Sequence, residues 1–179
     1  MTRLLVLVAG VAGSLILMGW ASADSSARTL RNHRTVPPIP AVVLTKAQLE
    51  AEAKNLREPF YWAGAEKGYE YEFRRTASDD VYLRYLPSGV KAGAPGAKYL
   101  IVARYPVKHA FAHLKRQARG NDIAGPRGSI IFVDPQHPTD VFMAFRAVNY
   151  EIEIYFHRPA TALAIAKSGN VRRVKASGG

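Results

Sequence analysis

From residue 69 onward, polar and apolar side chains alternate with a period of two. Tyr69, Tyr71 and Phe73 interleave with Glu70, Glu72 and Arg74, and Val81, Leu83 and Tyr85 with Tyr82, Arg84 and Leu86. Tyr99, Ile101, Ala103 and Tyr105 interleave with Leu100, Val102 and Arg104. Successive strand side chains point to opposite faces, so each stretch predicts a half-buried or nearly buried strand. Stretches 130–133, 141–145 and 150–156 predict three more. A helical signal follows each set of three. The first, over 107–119, sets Ala110, Phe111 and Leu114 on one stripe ahead of Gly120; the second starts at Pro159 and stops at Ser168 and Gly169. An earlier helix begins cleanly at Thr45, which forms a capping-box pair with Gln48 and is flanked by Leu44 and Leu49 at hydrophobic-staple positions. Its stripe is Leu49, Ala53 and Leu56, and Glu58 and Pro59 end it.

Runs of strands with short turns, each closed by a helix, predict an α+β fold: a mainly antiparallel sheet with helices packed on one face. The order β-β-β-α occurs twice. Tyr99, Ile101, Ala103 and Tyr105 align with Tyr150, Ile152, Ile154 and Phe156, and Val81, Leu83 and Tyr85 with Val141, Met143 and Phe145. Duplication is one account of this pattern; chance similarity between amphipathic strands is the favoured one. Phe60, Tyr61 and Trp62 read as a first core strand in preference to an exposed stacking platform. Residues 171–174 predict a short edge strand, and the Gly/Ala/Pro-rich stretch 87–97 a flexible surface loop.

The amino end is built differently. Arg3 precedes an uncharged apolar run over 4–18, and Ala21 and Ala23 place small residues at −3 and −1 of a peptidase site before Asp24. This is the layout of a secretory signal peptide cleaved after Ala23. The rival is an uncleaved anchor: a helix over 4–21 spans about 27 Å, close to a bilayer core of roughly 30 Å. Either way the rest of the chain lies outside the cytoplasm, secreted or anchored to the outer face of the cytoplasmic membrane. The expected organisation is a signal peptide or anchor over 1–23, an extended Pro/Arg/Ser-rich tether over 24–43, a single α+β domain over 44–174 and a disordered tail over 175–179.

Composition narrows the chemistry. The 179 residues contain no cysteine, which removes disulfides, a lipid-modified cysteine, a cysteine nucleophile and thiolate metal sites. The formal charge is +11, and because Arg3 is the only charged side chain before Asp24, the chain beyond the leader keeps one unit less. Such a field favours anionic partners. Candidate anion contacts are Lys115, Arg116 and Arg119 at the end of the second helix, and Arg172, Arg173 and Lys175 near the tail.

Enzyme signatures are weak. His109 and His113 have the i, i+4 spacing of a zinc-binding pair, but residue 110 is Ala where a zinc peptidase carries its Glu base, and Lys108, Lys115 and Arg116 oppose a divalent ion. A solvated polar helix face is the favoured account of the pair. Glu70 and Glu72 share one strand face, and Glu151 and Glu153 another. Paired carboxylates can hydrolyse glycosidic bonds, yet strand arginines at 74, 84, 104 and 146 offer them cross-strand partners. No serine sits in a nucleophile elbow. The sequence therefore predicts a non-catalytic, cofactor-free extracytoplasmic module that associates with an anionic lipid or wall polymer or with an envelope protein. Export disfavours nucleic acid, and membrane contact would run through 4–21 if the leader is retained. The alternatives are an envelope hydrolase using the strand carboxylates or histidines, and a metal-responsive sensor.

Overall fold

The computed structural model of the chain describes residues 35–56 and 58–176. The leader, its Ala21 and Ala23 site, most of the tether and the last three residues lie outside them. The first described element is strand β1 (Ile39–Leu44), followed by helix α1 (Lys46–Asn55) and the short strand β2 (Tyr61–Trp62). A meander of β3 (Tyr69–Arg75), β4 (Val81–Pro87) and β5 (Ile101–Pro106) leads into α2 (Ala110–Ala118). After β6 (Ile123–Ala124), a second meander of β7 (Ile130–Val133), β8 (Asp140–Ala144) and β9 (Tyr150–Tyr155) leads into α3 (Pro159–Lys167) and β10 (Arg172–Arg173).

Eight strands form one antiparallel sheet in the order β1-β3-β4-β5-β9-β8-β7-β6, and β10 pairs with β2 separately. The fold is α+β with a mainly antiparallel sheet, as the alternation predicts. The two meanders meet at β5 and β9, where Val102 faces Ile154 and Arg104 faces Ile152.

The helices, however, lie on both faces of the sheet. Along β8, Val141 and Met143 join a core cluster with Leu49 of α1 and Ala162 and Ala166 of α3, whereas Phe142 and Ala144 join a second cluster with Ala110, Leu114 and Ala118 of α2. Placing every helix on one face misread the second meander. Its strands bury both sides, and Ile130, Ile131 and Phe132 are all buried in succession. A continuous apolar run is the mark of a strand covered twice.

Duplication fares unevenly. The element order does repeat, and the meanders mirror one another across β5 and β9. Yet Ala103 and Tyr105 belong to the α2-side core, while of their aligned partners Ile154 belongs to the other core and Phe156 packs against it, so the aligned positions point to opposite faces.

Thr45 caps α1 as the capping box requires: its N–H donates to Gln48 Oε1 at 2.9 Å and the Gln48 N–H to its Oγ1 at 3.3 Å. The last part of the expected tether is extended but paired, as β1 along β3 with Val43 opposite Glu72. The loop between β4 and β5 is pinned instead of free. Arg84 Nη2 meets Glu72 Oε2 at 2.5 Å, Arg84 Nη1 donates to the Ala94 carbonyl at 2.7 Å, and the Gly93 N–H donates to Glu72 at 2.6 Å. A buried ion pair needs its remaining donors and acceptors filled, and the loop backbone fills some of them.

Candidate functional site

Near the carboxyl end, Val171 and Val174 are both buried in the core on the α1/α3 side of the sheet, while Arg172 and Arg173 between them are exposed. The segment is fixed by β2. Arg172 lies opposite Trp62, Arg173 opposite Tyr61, and the Val174 N–H donates to the Phe60 carbonyl at 3.0 Å. Arg127 Nη2 donates to the Val171 carbonyl from the other side. Two inward valines on a backbone held at both ends leave the two arginines at the surface.

Beside them stand Lys46, the first residue of α1, and Lys175. Together with Glu50, Trp62 and Ala65 these four cations line an open cleft of about 560 Å³. Lys46 Nζ lies 3.3 Å from Glu50 Oε1, an i, i+4 pair with the lysine more than half exposed. An exposed helical pair of this kind contributes only about 0.3–0.5 kcal/mol and is weakened by salt. One carboxylate among four cations leaves the cleft strongly positive. Trp62 forms part of its wall. The residue is buried, packs edge-on to Tyr71 with ring centroids 5.9 Å apart, and its Nε1–H has no hydrogen-bond partner among the described residues.

No family model matches the chain, and neither a curated protein nor a solved structure does. Function rests on the chemistry of the site.

Arg172, Arg173 and Lys175 are thus gathered into one cleft, whereas Lys115, Arg116 and Arg119 are not part of it. Those three are exposed at the carboxyl end of α2, which packs on the opposite face of the sheet. Lys115 and Arg116 occupy the last helical turn, where cations complement the negative end of the helix dipole. Trp62 is expected from the sequence as a core-strand residue, and Lys46 is not among the candidate anion contacts. Its one available signal was a lysine opening a helix whose first turn carries no acid, since the positive helix end ordinarily favours acids.

His109 and His113 do not share an exposed face. His109 sits outside α2 as its N-cap, with φ 53°, and is exposed. His113 is buried on the core side, with Nδ1 3.3 Å from Glu151 Oε2. No cluster of three or more potential metal ligands occurs among the described residues.

The strand carboxylates occupy the same sheet face as α2, each with a structural partner. Glu72 binds Arg84, Glu70 accepts from the Gly89 N–H at 3.2 Å, Glu151 faces His113, and Glu153 accepts from Tyr105 Oη at 2.5 Å. Burial raises the Tyr105 hydroxyl well above the ordinary phenol range, and the negative Glu153 raises it further. Burial also raises Asp140 above an ordinary aspartate, against the Thr139 hydroxyl and His137, which lower it. None of these carboxylates lines the basic cleft, where Glu50 is the one acid among the described residues.

Proposed function

We propose that the chain is an extracytoplasmic, non-catalytic interaction module that holds an anionic envelope component, a lipid headgroup, a wall polymer or an acidic envelope protein, in the cleft of Lys46, Arg172, Arg173 and Lys175. The observation that carries this reading is the convergence of four cations from opposite ends of the domain onto one concave surface, with Glu50 the one acid there among the described residues. Arginine in particular offers forked donors to phosphate or carboxylate. The leader supports export, with the product secreted or anchored at the outer face of the cytoplasmic membrane. Among the described residues no helix is long and apolar enough to cross a membrane, so an anchor would be the leader itself.

Cosedimentation with anionic and neutral vesicles, and with purified anionic wall polymer, tests the interaction. Binding to a polyanion through about four cations should fall with salt at a log–log slope of about −3. Reversing Arg172 and Arg173 to Glu should abolish most of it, and reversing Lys115 and Arg116 should remove much less. A protein that ignores every polyanion at low salt overturns the proposal. Export has its own test in sequencing the amino terminus of native protein. Asp24 in first place supports cleavage, an intact terminus in the membrane fraction supports the anchor, and an intact soluble cytoplasmic protein refutes both.

A further inference from the structure

Helix α2 turns Ala110, Leu114 and Ala118 onto the sheet and leaves Ala112, Lys115, Arg116 and Arg119 exposed. Lys115 and Arg116 lie three and four residues after Ala112, on one outward stripe that Arg119 continues at the C-cap. A solvated helix face ordinarily mixes charges of both signs, whereas this one carries a single sign. No acidic residue occurs between Asp80 and Asp122, and none of the three cations joins an ion pair among the described residues. The helix dipole accounts for cations in the last turn only. Lys108 is exposed just before the opposite, positive end, where the dipole disfavours it. Arg146 reaches in from the turn after β8, with its guanidinium 4.4 Å from the centre of the Phe111 ring.

We propose that the molecule is a two-sided bridge for a linear polyanion, one stretch of which occupies the basic cleft while a second lies along the α2 stripe. The inference rests on the anion-binding reading of the cleft and adds a second surface and the form of the ligand. Placement carries the bridging. The cleft belongs to the α1/α3 side of the sheet, where Val171 and Val174 share a core cluster with Leu49 of α1, and the stripe looks outward from the other side. A helix with its side chains is about 10–12 Å across. The sheet and α2 together therefore hold the two basic surfaces farther apart than the Debye length, about 8 Å at physiological ionic strength. Each attracts its own anion, and an anion bound to one leaves the charge of the other in place. Shape selects the form of the ligand. The cleft is concave and the stripe convex. A planar bilayer reaches only the convex surface, and no flat surface touches both sides of the sheet at once. A flexible chain of repeated negative charges enters the first and lies along the second.

Long-chain polyphosphate is the probe. Native protein titrated into it should raise light scattering to a maximum and lower it again in excess, because surplus protein occupies the polymer through one side only. Tripolyphosphate is too short to reach both sides, and calorimetry at low salt should find two bound per chain. Lys115→Gln with Arg116→Gln, both at exposed positions, should keep most of the affinity for the long polymer, bind one tripolyphosphate and lose the scattering maximum. Arg172→Ser with Arg173→Ser should also lose the maximum and bind one tripolyphosphate, now at α2. Lys91→Gln with Lys98→Gln removes the same charge from the exposed loop between β4 and β5 and should leave bridging intact. If this control abolishes the maximum as fully as the α2 variant, net charge alone condenses the polymer and the bridge is refuted. Bridging that survives the α2 variant refutes it too, as does the growth of phosphatidylglycerol vesicles without any bridging of the polymer. Polymer binding with one tripolyphosphate per chain and no scattering maximum refutes the second surface while the reading of the cleft stands. If the protein binds no polyanion at low salt, both fall.

Discussion

Arg104 shows how a single side chain can be indispensable without being well satisfied. It projects from β5 into the core and is 1% exposed. Its Nη2 meets Asp79 Oδ1 at 3.0 Å and also donates to the Asp79 carbonyl, and its guanidinium lies 4.7 Å from the centre of the Tyr150 ring. Nε and Nη1 have no partner among the described residues. Asp79 takes a left-handed φ of 63°, which aspartate tolerates better than most residues. A buried pair is costly to assemble and costlier to break, because removing one ion strands the other. Arg104→Met should therefore lose about 3–5 kcal/mol in chemical denaturation. Combining it with Asp79→Asn, which removes the stranded charge and keeps the αL-tolerant side chain, should restore a large part of the loss. A neutral Arg104→Met would mean that the pair contributes nothing net, and additivity of the two changes would mean that they are not coupled.

At the level of elements, what could be read from the sequence depended on whether the signal was local. The capping box at Thr45 and Gln48, and the Pro159 start of α3, are written within a turn of the chain and were legible. So was strand content, because period-two alternation is local. Which face a helix covers is not local: α2 and α3 carry similar alanine-rich stripes, and only the unbroken apolar runs of β7 and β8 betray a second covered face. The pairing of β1 with β3 was missed because Pro37, Pro38 and Pro40 announce an extended chain without saying whether a neighbour lies beside it. Only part of the candidate site was legible, for a related reason. Arg172, Arg173 and Lys175 are clustered in sequence, whereas Trp62 joins them through the pairing of β2 with β10 and Lys46 through α1, whose Leu49 shares a core cluster with Val171 and Val174.

For the whole molecule, the tyrosine-rich core couples stability to alkaline pH. Tyr85 is buried, its hydroxyl accepting from the Ala63 N–H at 2.7 Å and donating to the Gly64 carbonyl at 2.9 Å, and burial holds its ionisation far above the ordinary 10.0. Tyr105 is raised well above the same value, first by burial and then by Glu153. Burial together with the Glu58 carboxylate pushes Tyr150 up to about 12, and burial with Asp140 and Glu153 raises Tyr155. Below pH 10 these hydroxyls are protonated in both folded and unfolded chains, so their contribution to stability is fully present. Above it the unfolded chain releases protons that the folded chain keeps, and stability declines with pH until the folded groups ionise. The two fully buried tyrosines, Tyr85 and Tyr105, should together remove about 2.7 kcal/mol per pH unit, with smaller, solvent-screened additions from Tyr150 and Tyr155. A domain stable by about 5–15 kcal/mol should then unfold within a few units above pH 10. Phenolate absorbance should show one step coincident with loss of near-ultraviolet circular dichroism. Tyr105→Phe removes one linked proton and should flatten the decline by about 1.4 kcal/mol per pH unit. Gradual ionisation of every tyrosine with the fold intact would show that these hydroxyls are not held neutral by burial.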